Sequence, residues 1–154
     1  MPDRPSPRAL ERPPQIHTRD LEMAHLLLGK VYGDLTIDVH RDRQRFEWRA
    51  TSVDLGPVAL FLATVASDLT LRGEVSNYIV SLTAGPSLRV AASREAAEVS
   101  PGRSAAMFSP GPRIEWTPAS PSRSMTLRID ARYLEEQLEA LTGVPIRRPL
   151  AFAL

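Results

Sequence analysis

The sequence predicts a mainly-β domain, a small barrel with a helix before it and another after it. Two patterns carry this expectation. About eight short stretches alternate apolar and polar residues, with Pro- and Gly-bearing turns closely spaced between them, as in an all-β sandwich or barrel. Two leucine-bearing stretches of helical period flank them. The 154 residues suffice for one domain with its own core, and the absence of Cys excludes disulfides, a thiol nucleophile and thiolate-bound metal.

Residues 1–16 hold Pro2, Pro5, Pro7, Pro13 and Pro14, which deny the backbone its donors, so this segment reads as a flexible Pro/Arg-rich arm ahead of a domain at 17–154. Thr18 to Tyr32 reads as a helix, with Thr18 as cap, Asp20 and Glu22 in the first turn and Gly33 as the stop. From about Leu35 the period changes. Phe46, Trp48 and Ala50 alternate with Glu47, Arg49 and Thr51, and Val58 to Val65 is a run of branched and aromatic residues. Leu69 and Leu71, then Tyr78, Val80 and Leu82, then Leu88, Val90 and Ala92 recur with period two. Ser104 to Phe108 lies between two proline turns. Ile114 and Trp116, then Met125, Leu127 and Ile129, complete the strands. Asp130 caps the final helix, whose Leu134, Leu138 and Leu141 share one face before Gly143 and Pro145 end it.

The formal net charge of +1 lacks the basic excess of a nucleic-acid-binding domain, and the use of 18 Arg against one Lys reads as compositional bias. Arg41, Arg43 and Arg45 enclose Asp42 and read as a solvated loop. A helix-turn-helix needs adjacent helices, whereas the two here lie about a hundred residues apart. The N-terminus has no apolar stretch and Val58 to Ala66 is too short for a bilayer, so a cytoplasmic protein without membrane contact is expected. A barrel with a Pro-Gly turn invites comparison with cupin enzymes, which hold metal through an interior His-x-His pair, a Glu and a later His. Here His17, His25 and His40 precede the first expected strand, no His-x-His pair occurs, and Glu47, Glu74, Glu98 and Glu115 alternate with apolar residues as water-facing groups do. No G-x-S-x-G elbow, G-x-G-x-x-G or phosphate loop is present. The expectation is no metal, no cofactor and no enzyme.

The stretch VSPGRSAAMFSPGPRIEW followed by MTLRIDARYLEEQLEALTGVPIRRPLAF resembles the end of the effector-binding domain of AraC-type transcriptional regulators. In that pattern two proline turns separate strands, a strand opens a helix of form L-x-x-x-L-x-x-L-x-G, and R-P-L-x-F follows. The resemblance extends more loosely over residues 18–154. It implies a cupin-like, jelly-roll barrel with an interior pocket for a small-molecule effector and a homodimer contact on the last helix. In such regulators DNA is contacted by a helix-turn-helix half, which this sequence does not contain. A truncated regulator and a stand-alone sensor both remain open.

The candidate lining residues are Trp48, Phe61, Tyr78, Met107 and Trp116, with Arg49 and Arg72 as secondary candidates for binding an anionic group. The alternative is that these aromatics are ordinary core, since barrels of this size are filled by side chains alone. On the last helix the leucines are expected to face inward, leaving Tyr133, Gln137 and Ala140 for the dimer contact. Three functions compete: a regulator's sensing and dimerising domain, a stand-alone cupin-like module forming mixed dimers, and a cupin-type metalloenzyme.

Overall fold

A computed structural model describes residues 15–92 and 95–152. The expected arm lies outside these residues except for Gln15 and Ile16, as do the last two residues of the tail. Strand β1 (Gln15–Thr18) leads into helix α1 (Leu21–Tyr32), β2 (Gly33–Val39) and a 3₁₀ turn at Arg43–Arg45. There follow β3 (Trp48–Asp54), β4 (Val58–Val65), β5 (Leu69–Val75), β6 (Tyr78–Thr83), β7 (Leu88–Ala92) and β8 (Glu95–Val99). Strands β9 (Ala106–Phe108), β10 (Arg113–Pro118) and β11 (Ser122–Ile129) and helix α2 (Ala131–Thr142) complete the order.

The strands form two antiparallel sheets, one in the order β1-β3-β4-β11-β6-β9 and one in the order β2-β5-β10-β7-β8. After β2 the chain passes repeatedly between them, so the sheets close on each other as a jelly roll with a helix at either end. Three strands exceed the sequence expectation. Strand β1 has Ile16 as its one branched apolar residue, and β8 reads EAAEV, so neither shows a periodic signal. Strand β2 is set by its seven-residue register with β5, from Gly33↔Val75 to Val39↔Leu69.

The start of α1 differs from expectation. Thr18 belongs to β1 and the helix is capped by Asp20, whose Oδ1 accepts from the backbone N–H of Glu22 at 2.8 Å. Gly33 ends the helix as expected; its φ of +108° suits Gly and turns the chain directly into β2. For α2 the expected Asp130 and Gly143 caps are both in place.

Between the sheets lie Leu35, Phe46, Trp48, Val90, Phe108 and Trp116, and α1 adds Ala24, Leu28 and Tyr32 to the same core. Trp116 meets Phe108 edge to face at 4.7 Å and Tyr32 at 5.3 Å between ring centroids.

On β6 and β11 it is the more polar rows that face inward. In β11, Ser124 stands opposite Thr83 and Thr126 opposite Ser81, and these side chains point between the sheets. Tyr78, Val80 and Leu82, with Met125, Leu127 and Ile129 beside them, form the outer face. That face is covered at Tyr78, whose hydroxyl donates to Glu135 Oε1 at 2.8 Å and accepts from the Leu150 N–H at 2.6 Å while Phe152 meets its ring at 6.0 Å.

Strand β2 crosses close over Gly73 of β5, where a Cβ would fall 1.9 Å from the Asp34 carbonyl oxygen. Gly73→Ala is expected to lower stability by at least about 3 kcal/mol, seen as a fall in the urea midpoint with little change in slope.

Candidate functional site

The space between the sheets is not completely filled. A chamber of about 60 Å³ remains near its centre. One wall is apolar and aromatic, formed by Tyr32, Phe46, Trp48, Leu71, Leu88 and Trp116. The other is the inward row of β6 and β11: Ser81, Thr83, Ser122, Ser124 and Thr126. Neighbouring strands lie about 4.8 Å apart and inward residues about 6.8 Å along a strand, so these hydroxyls form a small grid. Two are paired: Thr126 accepts from Tyr32 Oη at 2.9 Å, and Thr83 donates to the Pro86 carbonyl at 2.7 Å. The side chains of Ser81, Ser122 and Ser124 have no hydrogen-bond partner among the described residues.

A second space of about 160 Å³ lies beneath α1, lined by Ile16, Leu27, Ala50 and Phe61 among others. It shares Leu28, Tyr32, Trp48 and Ala63 with the chamber, so those side chains are the partition between the two.

Of the candidate residues, Trp48 and Trp116 line the chamber and Phe61 lines the space beneath α1. Tyr78 lies on the opposite face of its sheet, under α2 and the C-terminal segment. Met107 faces an outer groove against Arg148 to Phe152. Arg49 is exposed and bonds Glu47 at 2.7 Å. Arg72 lies on the outer side of its sheet between Asp38 at 2.6 Å and Glu115 at 2.8 Å. Neither arginine reaches the chamber. On α2, Tyr133, Gln137 and Ala140 are exposed and Leu134 and Leu138 half-buried, but Leu141, expected inward, is 85% exposed. Its position seven residues after Leu134 has carried it past the narrow strip of α2 that touches the body.

The histidines do not all precede the sheets. His17 lies in β1 and bonds Glu47 at 2.8 Å, while His40 follows β2 and bonds Thr70 at 2.6 Å. Among the described residues no group of three His, Asp or Glu is gathered to hold a metal ion. The sequence reading missed Tyr32 and the hydroxyl row. A signal for the latter existed, since Ser81 and Thr83 share one phase of β6, and Ser122, Ser124 and Thr126 share one phase of β11.

Burial pushes the Tyr32 phenol up to about 12, with the Thr126 hydrogen bond opposing the rise. At Glu47 the hydrogen bond from Arg49 comes first in holding the carboxyl below its ordinary value. Burial, with Glu135 beside it, raises Tyr78 to about 12.

The fold and site together define a jelly-roll domain built around an uncharged interior chamber. The chain belongs to the AraC-binding-like domain family, which it matches over residues 24–154. The crystal structure of the AraC-like transcriptional activator CuxR superposes with a TM-score of 0.64 over 86% of this chain at 14% identity, and the match spans 53%, about half, of the CuxR chain. KdgF from Halomonas sp. gives a TM-score of 0.48 at 13% identity over 53% of this chain and 79% of its own. A cupin superfamily protein from Desulfitobacterium hafniense DCB-2 gives 0.45 at 10% identity over 53% and 77%. No curated protein matches the sequence. Among the described residues no helix is long and apolar enough to cross a membrane.

Tyr32 gives the site a pH signature. The unfolded chain releases this proton near pH 10 and the fold keeps it to about 12, so stability falls as pH rises through that window. The loss attributable to Tyr32 is at most about 3 kcal/mol, and Tyr78 contributes with the same sign. Tyr32→Phe is expected to cost about 1 kcal/mol at neutral pH, by stranding the Thr126 hydroxyl, and to shrink the alkaline loss. Urea denaturation at pH 7, 10 and 11.5 checks both effects.

Proposed function

We propose that this domain is the effector-binding and dimerising module of an AraC-type transcription regulator, and that it holds a small molecule in the chamber without transforming it. The observation that carries the reading is the chamber wall, in a domain of this family. Its lining can pack against a ligand and hydrogen-bond to it, but Tyr32 is its sole ionisable group among the described residues, and burial keeps that group protonated. Such a wall suits selective binding. Among the described lining residues no carboxylate, imidazole or amine stands beside the serine hydroxyls to activate them or to hold a metal ion.

Binding is read out through α1. As built, the chamber is far smaller than a typical ligand pocket of ~300 Å³ or more, so occupancy selects a form in which the Tyr32–Trp48 partition has moved. DNA contact falls to a helix-turn-helix unit, because the two helices described here are separated by the sheets.

Dimerisation is assigned to α2. The helix buries none of its residues fully within the protomer. Tyr133, Gln137, Ala140 and Leu141 are exposed along one stripe that Val144 continues beyond the helix. A second copy covering this stripe removes Leu141 and Val144 from water.

Thermal-shift screening of small effectors tests the sensing. A ligand present at a hundred times its Kd adds about 2.7 kcal/mol to apparent stability, enough for a clear rise in Tm. A screen in which nothing raises Tm or alters tryptophan emission defeats the sensing assignment. Sedimentation tests the dimer, with Gln137→Arg expected to weaken self-association at least about tenfold by burying a charge at the contact. An undiminished dimer removes α2 from the interface.

A further inference from the structure

We infer that the chamber is built for an uncharged, flat, amphipathic molecule bearing hydroxyl or carbonyl oxygens along one edge. The inference rests on the effector-binding reading above and specifies the effector's chemistry.

Charge decides the first part. Among the described residues lining the chamber there is no Arg, Lys, His, Asp or Glu. A carboxylate or ammonium placed there would lose its hydration without gaining a counter-charge, which costs several kcal/mol. Arg49 and Arg72 are both turned outward onto carboxylates. Arg128 shares the inward face of β11, two residues beyond Thr126; its Nε is buried without a hydrogen-bond partner, but the residue lies outside the chamber lining.

The polar wall decides the second part. Buried hydroxyls are normally paired. Here Ser81, Ser122 and Ser124 line the chamber and make no side-chain hydrogen bond among the described residues, although Ser81 and Ser122 are buried. They occupy alternate positions on adjacent strands, so they present a row of groups able to donate or accept. A ligand with oxygens along one edge matches such a row. A hydrocarbon would leave the hydroxyls unpaired at a cost.

The aromatic wall decides the third. Trp48 and Trp116 present rings to the chamber, and their indole N–H groups bond to nothing among the described residues. A flat ring offers these indoles offset or edge contacts. Ligand oxygens within reach can also accept from their N–H groups. Tyr32 and Thr126 set the size limit, because their hydrogen bond spans from α1 to β11. A ligand oxygen replacing Tyr32 at Thr126 frees the partition and joins the chamber to the space beneath α1, whose one charged lining residue among the described ones, Lys30, is itself exposed to water.

The test uses matched pairs on the full chain: benzyl alcohol against benzoate, and catechol against protocatechuate. The chain's two tryptophans both line the chamber, so their emission reports occupancy directly. The neutral member of each pair is expected to raise Tm and shift this emission, with the carboxylate at least tenfold weaker. Ser81→Ala combined with Ser124→Ala is expected to weaken catechol binding about five- to tenfold without lowering the Tm of the free protein. Equal or tighter binding of the carboxylates, shifting the same emission, overturns the uncharged class yet leaves the effector reading standing, and Arg128→Gln then reveals whether that arginine holds them. A rise in Tm without any change in emission places the ligand elsewhere and overturns the inference. So does catechol binding indifferent to the double serine substitution. If no compound of either pair acts, this inference fails, while the wider screen above still decides the effector reading.

Discussion

Strand β11 is gripped from both sides, by β4 along eight residues and by β6 along six. Because successive side chains in a strand point to opposite faces, that register leaves no freedom in what the strand shows to the interior. Ser122, Ser124 and Thr126 must face in, and Met125, Leu127 and Ile129 must face out. The chamber, the Tyr32 hydrogen bond and the placement of α2 against the outer face all follow from this one constraint. A slip by one residue would put methionine, leucine and isoleucine inside. The interior would then be an ordinary apolar core.

Burying hydroxyls is costly unless something repays it. Thr126 and Thr83 are repaid within the protein by Tyr32 and by the Pro86 carbonyl. Ser81, Ser122 and Ser124 make no such bond, and they border the unfilled space. The paired part of the wall is structural, and on the proposed reading the serines are the part that meets the effector. The structural part lies where α1 meets the sheet, and this couples the contents of the chamber to the position of the helix.

Much of this architecture is legible in the residues. The alternation around Trp48, Val90 and Trp116 marks strands, and Asp130 with Gly143 brackets α2, because period and capping chemistry are local properties. Strands β1 and β8 are not legible, since short polar segments become strands only when a neighbour supplies hydrogen bonds. The lining of the candidate site was half legible. Trp48 and Trp116 stand out as aromatics and do line the chamber. Tyr78 stands out equally and lies outside it, because alternation shows that two faces differ without showing which one is inside. The outer face of β6 is apolar where α2 and Leu150 return to cover it, and that covering comes from 57 and 72 residues further along the chain. Arg49 and Arg72 invited an anion on the basis of charge alone. The fold had already supplied their carboxylates.

A wall of serines whose side chains take no part in internal bonding has an evolutionary consequence. The strands carrying it are joined through their backbones, so exchanging Ser for Ala, Thr or Cys there alters the shape and polarity offered to a guest without disturbing the scaffold. On the effector-binding reading, selectivity can drift from one compound to another by single small steps, none of them costly for folding. Chambers of this kind are readily repurposed by natural variation or in the laboratory, with changes at Ser81, Ser122 and Ser124 as the natural starting library.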